Sequence, residues 1–128
     1  MMENKAKPTA EEDFPRYGDI YDVNLDPVIG SEIGKRRPAL IVSNDTNNEF
    51  SETVTIFPIT GQPGSKQYPF EVLVPGGIAG LTSNSRVSAN QIRTVDKRRL
   101  VNFRGSLPLL YIRQAEQAIK IHLNMKRD

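Results

Sequence analysis

The sequence predicts a mainly β fold, a small curled sheet or SH3-like barrel of antiparallel strands that is followed by one C-terminal helix. Two observations support this prediction. Short segments of alternating or β-branched apolar residues recur between residues 21 and 95, and helical periodicity appears only after Pro108. Parallel βαβ units would need helices between the strands, and no such helical pattern is present there.

The first three predicted strands come from residues 21–26, 37–43 and 53–60. In the first, Tyr21 and the apolar residues after it alternate with Asp22, Asn24 and Asp26, which indicates a half-buried strand. The second begins around Pro38 and continues as an uninterrupted apolar run. The third reads TVTIFPIT and stops before Gly61, so Thr60 lies at a strand end.

Two further strands and a helix complete the prediction. Alternating apolar residues predict a fourth strand over 70–74, and SRVSANQIRTVD predicts a fifth over about 85–95. From Pro108 onward the apolar period is helical, with one stripe formed by Ile112, Ala115, Ile119 and Leu123. We expect this helix to pack on the sheet.

The length of 128 residues fits a single domain. Residues 1–15 are charged and lack hydrophobic periodicity, so we interpret them as a mobile lead-in to a domain over 16–125 with a short tail over 126–128. The polar start does not resemble a signal peptide, and no apolar run is long enough to cross a bilayer. We therefore expect a cytoplasmic protein that does not associate with a membrane.

The composition disfavours metal and triad chemistry. The chain contains no cysteine and one histidine, His122, which lies beside the helix stripe and is interpreted as a boundary residue. Asp22, Asn24 and Asp26 have the spacing of the first calcium-loop ligands, but Pro27 occupies the position that requires glycine. We predict no metal and no cofactor.

The segment GSEIGKRRPALIV, residues 30–42, combines glycines and basic residues beside a predicted strand. It does not match a P-loop, because Gly30 and Gly34 are too close and a strand follows instead of a helix. Arg37 is fixed at the edge of the sheet by the following Pro38, which suits recognition of phosphate. A surface ion pair with Glu32 or Asp96 is the alternative for this arginine.

Three aromatic residues can be interpreted either as part of an RNA-binding surface or as part of the core. Phe14, Phe50 and Tyr68 are candidates for stacking on unpaired bases, and the alternative is that they belong to the core.

Three ordered motifs resemble the MazF/PemK family of toxin endoribonucleases. They are YGDIYDVNLDPVIGSEIGKRRPALIVSND, VTIFPIT and SANQIRTVDKRRL, followed by GSL and a helix. The resemblance covers roughly residues 16–125. It implies an SH3-like barrel of the CcdB/PemK architecture, a homodimer, and metal-independent cleavage of single-stranded RNA at short sequences. It also implies inhibition by a cognate antitoxin.

The resemblance also implies site residues. The family's catalytic arginine precedes the proline of the second strand and corresponds to Arg37, and its catalytic threonine corresponds to Thr60. Glu32 corresponds to the acidic residue of the GSE loop and is the third candidate catalytic residue, either as a general base or as the group that orients the Arg37 guanidinium, with a structural ion pair as the alternative. Substrate contacts are expected from Ser31, Lys35, Arg36, Asn44, Arg86 and Gln91. Many members carry Glu before that glutamine, where this chain has Asn90.

RNA can be cleaved without a metal when its own 2′-hydroxyl attacks the phosphate, which leaves a 2′,3′-cyclic phosphate and a 5′-hydroxyl. In this interpretation Arg37 stabilises the charge on the phosphorane. The alternative function is a non-catalytic RNA-binding or gyrase-poisoning module of the same fold. Gyrase poisons among structural relatives of the family act through a C-terminal Trp-Gly-Ile, whereas this chain has no tryptophan and ends in NMKRD.

Overall fold

The computed structural model describes residues 13–61 and 66–126. Short 3-10 turns at Ala89–Gln91 and Lys97–Arg99 flank one of the strands. The strands are β1 (Asp19–Asn24), β2 (Arg36–Ile41), β3 (Thr53–Gly61), β4 (Glu71–Val74), β5 (Ser85–Ser88), β6 (Arg93–Asp96) and β7 (Leu100–Ser106). The helices are α1 (Asp45–Phe50) and α2 (Leu109–His122).

The strands form one antiparallel sheet in the order β4-β5-β3-β2-β1-β7, and β6 pairs with β3 outside this path. The predicted mainly β fold with a C-terminal helix is therefore confirmed. The sheet is not closed, because β4 and β7 remain its two edges.

Strand β3 changes partner along its length. Residues 53–56 pair with β6, and residues 59–61 pair with β5. Pro58, which has no N–H to donate, lies in the interval between these two partners. The predicted single strand over 85–95 is thus two strands, because the turn Ala89–Gln91 interrupts it where the partner of β3 changes.

A loop over residues 75–84 brings the region before β5 against β7. The Arg104 guanidinium donates two hydrogen bonds to the Gly80 carbonyl, at 3.0 Å from Nε and 2.6 Å from Nη2. A side chain on Gly105 would come within 2.7 Å of the Ala79 carbonyl carbon. The close approach of these backbones therefore requires glycine and partly covers the open side of the sheet.

The core consists of two clusters on opposite faces of the sheet. One contains Ile20, Leu40 and Phe57 and is covered by α2 through Ala115 and Ala118. The other is built around alternate residues of the same strands, and its buried members are Tyr21, Val23, Leu25, Ala39, Ile41, Val54, Ile56 and Val95.

The C-terminal helix has the predicted orientation on the sheet, with one exception. Ile112 and Ile119 pack on the core and Ala115 is buried. Leu123 was predicted to share this stripe, but it is 51% exposed because α2 ends at His122 and Leu123 is the C-cap residue. That part of the prediction is wrong.

Two elements have no counterpart in the prediction. Helix α1 lies in a segment interpreted as a loop, and it is stabilised by Asn44, whose side chain accepts a hydrogen bond from the Asn47 N–H at 2.8 Å. Strand β7 was not predicted, and it pairs with β1.

The predicted lead-in falls largely outside the described residues. Where it is described, Asp13 forms an ion pair with Arg16 at 3.5 Å and Pro15 is buried. Neither of the helices in the described ranges has the length and apolarity needed to cross a membrane.

Candidate active site

Arg37 and Thr60 are brought together by the pairing of β2 with β3. Ala39 lies opposite Pro58 in this antiparallel register, and continuing the same register by two residues would place Arg37 opposite Thr60. Because side chains alternate along a strand, both residues project from the same face. They also line one cavity of about 190 Å³ at the ends of these strands.

The Arg37 guanidinium has no carboxylate partner among the described residues. Its Nε donates to the Gly34 carbonyl at 3.2 Å. Both carboxylates considered as ion-pair partners are engaged elsewhere: Glu32 accepts a hydrogen bond from the Ile29 N–H at 2.9 Å, and Asp96 pairs with Arg98 at 2.9 Å. The two terminal nitrogens of Arg37 are therefore available for an anion.

Asp96 and Arg98 form an exposed pair at the turn before β7. The hydrogen bonds and charge of Arg98 lower the pKa of the Asp96 carboxyl below its ordinary value, and Asp96 in turn raises the pKa of Arg98. This carboxylate is committed to the turn, since it also accepts the Arg98 N–H at 2.8 Å.

The loop between β1 and β2 is closed on itself at its base. Leu25 N–H donates to the Lys35 carbonyl at 2.9 Å, and Lys35 N–H donates to Asp26 Oδ1 at 2.8 Å. Lys35 has a φ of 68°, a left-handed conformation that is unusual for a residue with a side chain. A side chain on Gly34 would come within 2.7 Å of both Asp26 and Val28. This packing fixes the backbone that leads into Arg37.

Side chains from the two 3-10 turns and from β6 hold the same loop. Gln91 accepts a hydrogen bond from the Ile33 N–H at 3.1 Å and donates a long one, 3.5 Å, to the Ser31 carbonyl. Arg93 donates to the Leu25 carbonyl at 3.0 Å, and Arg99 donates to the Asn24 carbonyl at 3.0 Å. Gln91 was predicted to contact substrate, but the structure shows its amide engaged with the loop.

Arg86 lies next to Thr60, because β5 pairs Arg86 with Thr60. Its guanidinium is 3.6 Å from Glu71, and the two side chains are 18% and 9% exposed. Arg86 also donates to the Lys66 carbonyl at 2.7 Å, while Glu71 accepts the Tyr68 N–H at 3.0 Å. Arg86 therefore ties residues 66–71 to the strand that carries Thr60, and its charge is compensated by Glu71.

The remaining predicted site residues divide into two groups. Ser31, Glu32 and Lys35 are exposed on the loop between β1 and β2, and Arg36 begins β2 and donates to Asn102 at 3.0 Å. Asn44 does not join them. It caps α1 and lines a separate groove of about 740 Å³ beside α2.

Tyr17 is one of the residues that line this separate groove. Its hydroxyl donates a hydrogen bond to Glu116, and its backbone N–H donates one to Asp45 at 2.7 Å. Burial raises the pKa of the Tyr17 hydroxyl above its ordinary value, and the hydrogen bond with Glu116 raises this pKa further. Tyr17 thus connects the start of the fold to both helices.

The three aromatic candidates are not core residues. Phe50 is 76% and Tyr68 42% exposed, and Tyr68 stacks on Phe70 with ring centroids 5.3 Å apart. Phe14 is partly buried and lies under the Arg16 guanidinium at 4.1 Å.

Sequence reasoning missed Arg104, Thr82 and Ser83, which also line the cavity. Arg104 forms an ion pair with Asp22 at 2.9 Å across β7 and β1. Since β7 was not predicted, this contact could not be foreseen. The alternation of Asn102 and Arg104 within LVNFRGS was the available signal.

A free guanidinium fork opposite a strand-end threonine, set beside a rigid loop, defines an anion-binding site of the kind that phosphate-directed proteins use. The described residues contain no cluster of three or more His, Asp or Glu side chains that could hold a metal ion. The hydroxyl of Thr60 makes no hydrogen bond within the described part of the chain, so it too is available to a ligand.

The chain belongs to the family of PemK-like, MazF-like toxins of type II toxin-antitoxin systems, whose family model matches residues 16–123. It is 36% identical over 115 residues to endoribonuclease MazF9 of Mycobacterium tuberculosis, a match that covers 86% of this chain and 97% of the relative. It is 37% identical over 110 residues to endoribonuclease MazF of Staphylococcus saprophyticus, covering 86% of this chain and 92% of that relative.

Solved structures are similar as well. MazF of Deinococcus radiodurans matches with a TM-score of 0.77 at 29% identity, over 89% of this chain and 100% of that one. A MazE–MazF structure from the same organism matches with a TM-score of 0.70 at 26% identity, over 90% of this chain and 100% of that one.

Proposed function

We propose that this protein is an endoribonuclease toxin that cleaves single-stranded RNA without a metal ion. The relatives that cover most of the chain are endoribonucleases. The observation that carries the proposal is that Arg37 and Thr60 line one cavity at the ends of β2 and β3, with the terminal nitrogens of Arg37 free among the described residues.

In the proposed reaction, the 2′-hydroxyl of the RNA attacks the adjacent phosphorus and passes its proton to a water molecule of the solvent. The bond to the 5′-oxygen of the next nucleotide then breaks, and that oxygen takes up a proton. The products are a 2′,3′-cyclic phosphate and a 5′-hydroxyl. Extra negative charge accumulates on the non-bridging oxygens of the phosphorane, so fixed donors at those oxygens accelerate the reaction.

We assign Arg37 to the stabilisation of this negative charge on the phosphorane. Its guanidinium keeps its proton up to a pH above about 12, so it acts as a cationic donor and not as a ground-state base. Thr60, which lies on the neighbouring strand, donates a hydrogen bond from its hydroxyl to a non-bridging oxygen of the phosphate. Both donors are held in place by the sheet, which limits the reorganisation that the transition state requires.

Glu32 is assigned a positioning role in the loop. Its Oε1 accepts the Ile29 N–H, which stabilises the turn that precedes Gly34 and Arg37. Ser31, Lys35 and Arg36 lie exposed along the same loop and strand and are assigned to the flanking phosphates. Gln91 supports this surface through its hydrogen bonds with the loop, and Arg86 supports the neighbouring strand end through its contacts with residues 66–71.

Assembly and location form part of the proposal. The MazE–MazF structures of Deinococcus radiodurans support binding of a cognate antitoxin, and the basic loop favours an acidic antitoxin segment that competes with RNA. Homodimer formation and a cytoplasmic RNA target follow from the family.

The proposal is tested by incubating the purified protein with single-stranded RNA of diverse sequence in EDTA and analysing the product ends. We expect cleavage in EDTA, cyclic phosphate and 5′-hydroxyl ends, and no cleavage of the same oligonucleotides made with 2′-deoxyribose. Strict dependence on a divalent ion, or equal cutting of the deoxy substrate, would contradict the mechanism.

A further inference from the structure

The cavity at Arg37 and Thr60 extends to a second wall that the proposed chemistry does not use. This wall is formed by Leu81, Thr82 and Ser83 of the loop over 75–84. A volume of about 190 Å³ corresponds to roughly six water molecules at about 30 Å³ each. The cavity is thus large enough for a group attached to the scissile phosphate.

The loop that forms this wall is rigid. Asn84 accepts the Gly76 N–H at 3.0 Å, and Gly77 N–H donates to the Leu81 carbonyl at 2.6 Å. A side chain on Gly76 would come within 2.9 Å of the Ser83 backbone, so the two ends of the loop are in close contact. Arg104 fixes its middle through the Gly80 carbonyl. Residues 82 and 83 are therefore presented in one conformation.

The hydroxyls of this wall are free to meet a ligand. Ser85 is buried and its hydroxyl donates to the Ser83 carbonyl at 2.8 Å. Thr82 and Ser83 are exposed, and across residues 13–61 and 66–126 their hydroxyls have no hydrogen-bond partner. A hydroxyl both donates and accepts, which matches the mixed donors and acceptors of a base edge, whereas a phosphate accepts only.

Charge separates the two sides of the cavity. On the strand side, Arg37 has no carboxylate partner within the described part of the chain. On the loop side, the charge of Arg104 is compensated by Asp22 at 2.9 Å, and its Nε and Nη2 each donate a hydrogen bond to the Gly80 carbonyl. Leu81 and Ile59, both almost fully buried, line the cavity as well. The strand side suits a phosphate, and the neutral loop side suits the ring and edge of a base.

We propose that Thr82 and Ser83 form a base-recognition pocket that selects one nucleotide next to the scissile phosphate. This inference rests on the proposed function, because it places the base relative to a phosphate at Arg37 and Thr60. The chemical class of the ligand is an unpaired RNA base, read by hydrogen bonds from the two hydroxyls. The pocket determines which sequence is cut and does not take part in the chemistry.

The test compares wild type with Thr82→Val, Ser83→Ala and the double variant on a pool of single-stranded RNA with randomised sequence. Sequencing the product ends gives the base preference at each position around the cut. We expect the preference at one adjacent position to fall by about 3- to 10-fold in the double variant, the effect of losing one or two hydrogen bonds. Preferences at the other positions, and the rate on the least preferred base, should stay unchanged.

Thr46→Val in α1 is the matched control, because it removes an exposed hydroxyl outside this cavity and should alter no preference. An unchanged preference in the double variant would overturn the pocket. An equal loss of rate on every sequence would also overturn it, since it would place the hydroxyls in catalysis or in the fold. Absence of RNA cleavage by the wild type would instead refute the proposed function, so the two failures are distinguishable.

Discussion

Arg37 and Arg104 line the same cavity, but they differ in whether a carboxylate compensates the positive charge of the guanidinium. Arg104 reaches Asp22 at 2.9 Å and makes two hydrogen bonds to the Gly80 carbonyl, so all three of its nitrogens have partners. Among the described residues Arg37 has one hydrogen-bond partner, the Gly34 carbonyl, and its fork is free. Arg104 stabilises the fold at the open side of the sheet, whereas Arg37 is prepared for an external anion.

The difference shows that arginines lining one cavity are not equivalent as candidates for binding an anion. Arg86 supports the same conclusion, since it lies beside Thr60 but is paired with Glu71. A guanidinium that is held by backbone contacts and lacks a carboxylate partner can use its full positive charge to stabilise a bound anion. The following substitutions test this distinction, from the largest expected effect to the smallest.

Replacing Arg37 should have the largest effect. Arg37→Ala removes the cationic donor at the phosphorane, and loss of one such donor costs about a hundred- to a thousandfold in rate. The cleavage rate should fall by at least this factor, while the thermal unfolding midpoint stays close to that of wild type. Single-turnover kinetics on an RNA oligonucleotide would measure the rate. A normal rate in Arg37→Ala would remove this residue from the mechanism.

Thr60→Val should have the next largest effect. Valine keeps the branched shape at the end of β3 and removes only the hydroxyl, so the fold should be retained. We expect a loss of about 10- to 100-fold in rate, near or below the lower end of what one neutral donor contributes. Thr60→Ser restores a hydroxyl and should recover most of the rate. If Ser and Val behaved alike, the hydroxyl would have no role.

Arg104→Met should change stability more than RNA chemistry. It leaves Asp22 without its cation and the Gly80 carbonyl without two donors, which should cost about 1–2 kcal/mol because the pair is partly exposed. Urea unfolding would measure this loss. Arg113→Met, at an exposed position of α2, is the control and should have little effect. Equal stability of the two variants would contradict the structural role of Arg104.

Glu32→Gln should have the smallest effect. The glutamine carbonyl still accepts the Ile29 N–H, so the loop should keep its conformation and the rate should fall by no more than about 3-fold. The pH–rate profile should keep its acidic limb. Disappearance of that limb would instead identify Glu32 as the general base.

The sequence predicted the parts of the fold that have clear periodicity. The positions of β1 to β4 and of α2 follow from alternation and from the helical stripe. Helix α1 could not be predicted, because its six residues bury only Asn48 and depend on the Asn44 cap. Strand β7 lacks an apolar face, since its side chains are partly or fully exposed, and it follows a basic run.

In the candidate site, too, some residues could be predicted from the sequence and others could not. Arg37 and Thr60 were identified through the resemblance, and the register of β2 and β3 brings them together. Asn44 was expected to contact substrate, yet it caps α1 beside a different groove. Which arginines are compensated depends on contacts between residues distant in sequence, such as Asp22 with Arg104, and local patterns do not reveal these contacts.

The most direct test of the role of Arg37 is the single-turnover cleavage rate of Arg37→Lys in saturating RNA, with Arg113→Lys as the matched control. Lysine keeps the positive charge but cannot reproduce the planar fork that donates to two oxygens. We expect the rate of Arg37→Lys to fall by about 100-fold or more, the cost of a lost oxyanion donor, with RNA affinity within a few fold of wild type and Arg113→Lys unchanged. A near-normal rate in Arg37→Lys would contradict the assignment of the free guanidinium fork to phosphorane stabilisation.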